Sequence, residues 1–320
     1  MGRLKGGKWV DGWFDSDEES GTFVRPDSHF RNWISDDPAA RFTAEADRYH
    51  LYISYACPWA HRTLIVRNLK GLDSIIGLSI VDPVFKDGDW TFSEGQGCIA
   101  DSINHSSFLH EIYQKAAPDY SGIVTVPTLW DKKFETIVSN ESSDIIRMFN
   151  SAFSRFASSG SDYYPENLRS EIDAVNKRVY NFVNNGVYRA GFAHSQSGYE
   201  KAVRSLFETL DWLEMRLSQQ RYMLGNRITE ADWRLFTTLV RFDSVYFGHF
   251  KCNLRPLTSY SNLWAYTRDL FQQEGVAETI NMDHIKRHYY SSHEEINPSR
   301  IVPLGPTLDF FEPHNRSSLA

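Results

Sequence analysis

The feature that most constrains this chain is a change of hydrophobic period near residue 160. Before it, short apolar runs read as strands: His50-Leu51-Tyr52-Ile53, Ile75 to Val81, Leu129-Trp130 and Thr136-Ile137-Val138. A helix from Arg62 to Leu69 separates the first two, and another from about Ser142 to Phe149 follows the last. Strand, helix, strand, a long insertion, two strands and a helix make a small α/β unit. After the change, apolar residues recur at helical spacing, as in Ile172, Val175, Val179 and Phe182, and again in Val203, Leu206, Leu210, Leu213 and Leu217. Thr229 to Asp232 reads as a capping box, with Ile228 stapled to Trp233. Further helices are expected from Leu263 to Gln272 and from Val276 to Tyr289. The fold class is therefore α/β plus all-α.

This gives an expected layout. Residues 1–45 form an extended, polar arm dotted with Trp9, Trp13, Phe14, Phe23, Phe30 and Trp33. The α/β domain covers 46–150, a linker rich in Ser, Ala and Gly covers 151–165, and the helical domain covers 166–290. The tail over 291–320 carries Pro298, Pro303, Pro306 and Pro313, which make it irregular.

Composition narrows the function. At 41% hydrophobic and 23% charged, the 320 residues suit an ordinary globular protein. A net charge of -7 gives no electrostatic reason to bind nucleic acid or an anionic membrane. No apolar run approaches the ~18 residues of a membrane span, and no secretory signal opens the chain. Three cysteines are too few for a disulfide framework and suit a reducing compartment, so a cytoplasmic setting is expected.

Tyr55-Ala56-Cys57-Pro58-Trp59-Ala60 is the sharpest motif. It follows a strand and opens a helix, and Pro58 suits the first helical position. Cys57 then faces the unpaired N–H groups and positive dipole end of the helix, which favour the thiolate. Ala60 stands where a second cysteine would resolve a disulfide, so resolution must come from another molecule. The plainer alternative is a cysteine buried as a small hydrophobe. Thr125-Val126-Pro127-Thr128 precedes a strand. A cis Pro127 would turn the Val126 backbone toward an extended peptide, whereas a trans proline would only open the strand. Ser139-Asn140-Glu141-Ser142 precedes a helix. Ser142 and the N–H groups behind it could take a carboxylate and Glu141 an ammonium, or the Ser could be a simple cap. His284, His288 and His293 lack a metalloprotease pattern, and no metal is expected. Cys98 and Cys252 lack a helix-start context and read as structural.

The combination resembles the glutathione transferase superfamily, in particular its Xi class, which contains the glutathionyl-hydroquinone reductases. The resemblance runs from about Phe23 to Pro313. It rests on Tyr55 to Thr63, Ile137 to Ser142, Asn185 to Ala193, Thr229 to Phe236, Val245 to Asn253 and Ile285 to His293. The Cys-Pro-Trp-Ala box sets this class apart from dithiol glutaredoxins. What it implies is a thioredoxin-like N-terminal domain for glutathione, followed by an all-helical glutathione-transferase C-terminal domain for the acceptor. Cys57 would be the nucleophile, and Trp90 the residue packing on glutathione. Val126, Glu141 and Ser142 match backbone, ammonium and carboxylate contacts. Tyr188, Tyr246 and Tyr289 match tyrosines lining an aromatic substrate pocket, with Tyr188 and Tyr289 joining the catalysis. Ile123 stands where a basic residue is expected. The implied reaction removes glutathione from a glutathionyl-hydroquinone, with glutathione as co-substrate and a homodimer as the assembly. The alternatives are an Omega-like thiol transferase or dehydroascorbate reductase, and a non-catalytic module of the same fold.

Overall fold

The structure, a computed structural model, describes residues 2–12 and 25–319. These divide into two units. The first comprises residues 2–12, Asp27–Ser161 and Glu278–His288; the second comprises residues 25–26, Asp162–Ala277 and Tyr289 onward. Trp13, Phe14 and Phe23 of the expected arm lie outside the described residues.

The first unit begins with a hairpin, β1 (Gly2–Lys5) and β2 (Lys8–Asp11). Its two-residue turn is Gly6-Gly7, both with positive φ, the geometry that matches strand twist in tight hairpins. An extended arm was the expectation for these residues. Instead β1 pairs antiparallel with β5 (Gly122–Ile123), placing Arg3 opposite Ile123, and Leu4 is buried in the core. The central sheet has the order β4-β3-β6-β7. Parallel β3 (Tyr49–Ile53) and β4 (Gly77–Ile80) are joined by α1 (Pro58–Leu69). β6 (Thr128–Asp131) runs antiparallel to β3, and β7 (Thr136–Ser139) antiparallel to β6. Helix α2 (Leu109–Ala116) lies within the long insertion, and α3 (Ser142–Ser151) follows β7.

All five β3 residues are buried, as a strand covered on both faces should be. α1 is buried nearly all round and packs on α3. The buried Arg48 binds the fully buried Asp131 through two hydrogen bonds, Nε to Oδ1 at 3.0 Å and Nη2 to Oδ2 at 2.5 Å, which satisfies both charges. The stretch read as a linker is anchored in this unit. Ser158 N–H donates to Lys70 O at 3.0 Å, and the Lys70 ammonium donates to Ser161 O at 2.8 Å.

The second unit is helical: α4 (Arg169–Val179), α5 (Gly186–Gly191), α6 (Gln196–Leu217), α7 (Glu230–Leu239) and α8 (Ser261–Phe271). The apolar row of α6 is buried throughout, from Val203 to Leu217. Asp232 closes the expected capping box, accepting the Thr229 N–H at 2.8 Å. Phe182 departs from its expected face. Tyr180–Asn184 winds as a π-helix, which adds a residue to the turn and leaves Phe182 40% exposed while Val183 is buried. A second π stretch, Phe242–Tyr246, follows α7.

The last expected helix starts later than Val276. Ala277–Thr279 is a short 3-10 turn, and α9 (Met282–Ser292) begins after Asn281, whose side chain accepts the His284 N–H at 3.0 Å. An N-cap asparagine, not apolar spacing, sets that boundary. No helix of the described residues is long and apolar enough to cross a membrane.

Candidate active site

In the first unit, the turn after β3 delivers Cys57 as N-cap of α1, with Pro58 in the first turn. The Ala60 N–H donates to Cys57 Sγ at 3.5 Å, and the thiol donates to Val126 O at 3.4 Å. The structure thus brings together Cys57 and Val126, which the sequence singles out separately. The Val126–Pro127 peptide is cis. The Val126 carbonyl accepts from the thiol proton, a bond that cannot persist once the sulfur is ionised; the N–H from Ala60 then remains to favour the anion.

Glu141 is the N-cap of α3 and Ser142 its first residue. The Glu141 carboxylate accepts the Ser143 N–H at 3.0 Å, the Ser143 hydroxyl at 2.9 Å and the Ser28 hydroxyl at 3.0 Å. Burial alone would raise its pKa. The bonds from Ser143 and Ser28 and the charge of Arg62 outweigh that and hold it below the usual carboxylate range. Arg62, on α1, is itself buried. Its Nη1 donates to Ser142 Oγ at 3.3 Å, and its guanidinium lies 4.4 Å from the Trp59 ring centroid. Sequence reasoning quoted Arg62 inside its motif but gave it no part. Its one sequence signal is its place against the apolar run Leu64-Ile65-Val66.

Trp90 sits in the insertion between Phe85, edge-on at 4.5 Å, and His288 of α9, stacked at 4.7 Å. Its backbone N–H donates to Asp89 Oδ1 at 2.7 Å, and its carbonyl accepts the Leu109 N–H at 2.9 Å. Asp89 and His110 were not foreseen either.

The three tyrosines converge within the second unit. Tyr188 on α5, Tyr246 at the end of the second π stretch and Tyr289 on α9 are all buried. The Tyr289 hydroxyl lies 2.6 Å from that of Tyr188 and 3.1 Å from that of Tyr246. Burial, then the neighbouring tyrosines, pushes Tyr246 and Tyr289 well above the ordinary tyrosine range, so both stay protonated. The Tyr289 hydroxyl is thus shared between the other two. Phe250 packs 5.4 Å from the Tyr188 ring and 5.6 Å from those of Tyr246 and Tyr289, and the Arg25 guanidinium stands 5.1 Å from the Tyr188 ring.

The three histidines serve separate contacts. His284 Nε2 bonds Gln96 O at 2.7 Å, His288 Nδ1 bonds Pro83 O at 2.8 Å, and His293 Nδ1 lies 3.2 Å from His249 Nε2. Cys252 is fully buried, and burial pushes its thiol far above the ordinary range. Cys98 is also shifted upward by burial. Neither has a helix start behind it.

A strand order of β4-β3-β6-β7, a cysteine at the start of α1 and a cis Val-Pro before β6 define a thioredoxin-like fold built around a thiol, here joined to a helical unit. Residues 56–152 match the N-terminal domain of glutathione S-transferases and residues 196–269 match their C-terminal domain. The chain belongs to the glutathione S-transferase family, and within it to the Xi class. Among its relatives, the glutathionyl-hydroquinone reductase YqjG of Escherichia coli K12 is 52% identical, over 99% of this chain and 98% of its own. A Xi-class transferase from Natrialba magadii superposes with a TM-score of 0.94 at 49% identity, covering 100% of this chain and 98% of that one. The glutathione-bound structure of YqjG superposes with a TM-score of 0.90 at 49% identity, over 99% of both chains.

Proposed function

We propose that this chain is a glutathione-dependent reductase of glutathionyl-hydroquinones. One observation carries the reading: Cys57-Pro58-Trp59-Ala60 opens α1 in a chain 52% identical, over nearly its full length, to a protein named for that reaction. In the proposed mechanism the Cys57 thiolate attacks the sulfur of the conjugate. A Cys57–glutathione disulfide forms, the carbon–sulfur bond breaks, and its electron pair stays on the ring carbon, which takes a proton to give the hydroquinone. A second glutathione thiolate attacks the mixed disulfide, releasing oxidised glutathione and the Cys57 thiolate. Ala60 leaves no internal thiol within the motif to compete for the intermediate.

The binding roles follow from chemistry. The Val126 backbone meets the glutathione main chain, Glu141 takes its ammonium, Ser142 its γ-glutamyl carboxylate, and Trp90 packs on it. Support for the pair at α3 is that Glu141 stays ionised while Ser142 heads a helix whose first N–H groups attract anions. Tyr188, Tyr246 and Tyr289 bind the ring oxygens, and Tyr188 and Tyr289 supply the proton; burial keeps Tyr246 and Tyr289 neutral, and the bond between the Tyr188 and Tyr289 hydroxyls supports donation rather than proton abstraction. The working form is a homodimer joined through the helical unit, in the cytoplasm, where a reducing environment keeps the thiol available.

Mass spectrometry after incubation with a glutathionyl-hydroquinone tests the mechanism. One glutathione should be found on Cys57, and Cys57→Ser should neither carry it nor turn over. Near wild-type turnover by Cys57→Ser would end this reading.

A further inference from the structure

The amino-terminal hairpin touches the backbone leading to Trp90 at two places and the His110 ring at a third. The insertion makes its own tight turn at Asp87-Gly88, both with positive φ, closed by paired bonds between Lys86 and Asp89 at 3.1 and 3.0 Å. The hairpin grips the tip of that turn. The Gly2 N–H donates to Gly88 O at 3.0 Å, and the Trp9 indole N–H donates to Asp87 O at 3.1 Å. The third contact is the Trp9 ring, stacked on His110 at 5.0 Å with the planes 23° apart.

His110 in turn holds Asp89. Its Nδ1 lies 2.7 Å from Asp89 Oδ2, and because a carboxylate only accepts, Nδ1 carries the proton. The His110 backbone N–H donates to the same oxygen at 3.1 Å. The other oxygen, Oδ1, accepts the Trp90 backbone N–H at 2.7 Å. Asp89 is buried, so these bonds are what make its position tolerable. The hairpin is itself fixed to the body: β1 pairs with β5, the Gly7 N–H donates to Tyr120 O at 3.0 Å, and Gln114 Nε2 donates to Gly7 O at 2.7 Å.

We propose that this hairpin is a positioning element for Trp90. Through the Asp87-Gly88 turn and the Trp9–His110–Asp89 relay it fixes the backbone from which the Trp90 ring is presented to glutathione. The inference rests on the proposed glutathione role of Trp90.

Calorimetric titration with glutathione tests it in the full chain. Trp9→Ala and His110→Ala should each weaken binding about 3- to 10-fold, while His110→Asn, which keeps a donor toward Asp89, should recover most of the loss. Neither alanine change should weaken binding further in a Trp90→Ala background, and alkylation of Cys57 by iodoacetamide should keep its rate. Full affinity in both single variants would overturn the proposal. So would an equal loss with and without Trp90, since the hairpin would then be a general stabiliser. Full affinity in Trp90→Ala alone would instead remove Trp90 from the glutathione site, and this inference with it.

Discussion

A guanidinium as deeply buried as that of Arg62 is tolerated only where acceptors and negative charge surround it. Its bond to Ser142 Oγ occupies a lone pair of that oxygen and leaves the hydroxyl proton to point away from Arg62. A carboxylate can accept that proton, which favours the proposed γ-glutamyl contact. Ser142→Ala and Glu141→Ala should each weaken glutathione binding by roughly 1.5–3 kcal/mol, the range for hydrogen bonds to charged groups. Arg62→Lys should weaken it too, but by much less once Ser142 is already alanine; additive losses would show that Arg62 acts elsewhere. The pH dependence follows from Glu141. Its folded carboxyl is held below the usual range, so its charge is present above ~4.3 and lost only as pH falls through the lower folded value. The affinity ratio of wild type to Glu141→Gln, measured by titration, should therefore be flat from pH 7.5 to 5.

At the scale of elements, β3 meets β4 with no room for a side chain at Gly77. His50 lies opposite Gly77 in the parallel register, and a Cβ on Gly77 would stand 2.4 Å from His50 Nδ1. His50 cannot swing away without losing its 2.8 Å bond to Ser79 Oγ. Gly77→Ala should cost about 1–3 kcal/mol in chemical denaturation, the usual range for an overpacked core. The same histidine makes the fold acid-sensitive. Burial pushes its pKa down to about 4, against the nearby Asp101, which raises it. The unfolded chain, with an ordinary value near 6.5, binds a proton first as pH falls, so stability is lost from about 6.5 down to about 4. Between pH 7.5 and 5 the wild type should lose roughly 2 kcal/mol more than His50→Gln in denaturant titrations; equal losses would place the acid sensitivity elsewhere.

The elements that sequence reasoning reached are those with local signals: β3 with its unbroken apolar run, α6 with its buried leucine row, and α7 with its capping box. The helix start at Cys57 was also legible, because Pro58 marks it; its contact with Val126 was not. What escaped had no local signature. The π turn that rotates Phe182 outward depends on i to i+5 bonding that leaves the apolar spacing unchanged. The hairpin over residues 2–11 has only Gly6-Gly7 to announce it, and its partner β5 lies far along the chain. Asp89 and His110 look like any surface pair until the fold brings them together.

For the whole molecule, the two units hold different chemistry, and a single set of substitutions can separate them. The first carries the thiol and the candidate glutathione contacts. The second carries three tyrosine hydroxyls within hydrogen-bond reach of one another. A purely electrophile-binding pocket would be mostly apolar, so buried hydroxyls on three separate elements suit a ligand that carries oxygens of its own. A homodimer, the proposed assembly, should sediment as such at micromolar concentration, and a stable monomer there would contradict it. Removing hydroxyls alone tests the division of labour. Tyr188→Phe, Tyr246→Phe and Tyr289→Phe keep the rings, and the packing against Phe250 should hold. At least one should lower turnover of a glutathionyl-hydroquinone about 10-fold or more, because general-acid help is worth ~100-fold and can be shared within the trio. The same variant should reduce a small glutathione mixed disulfide at close to the wild-type rate, since that exchange breaks a sulfur–sulfur bond and delivers no proton to carbon. Equal losses on both substrates would mean the hydroxyls support the fold, and full activity of all three variants on the conjugate would leave the tyrosines as packing residues.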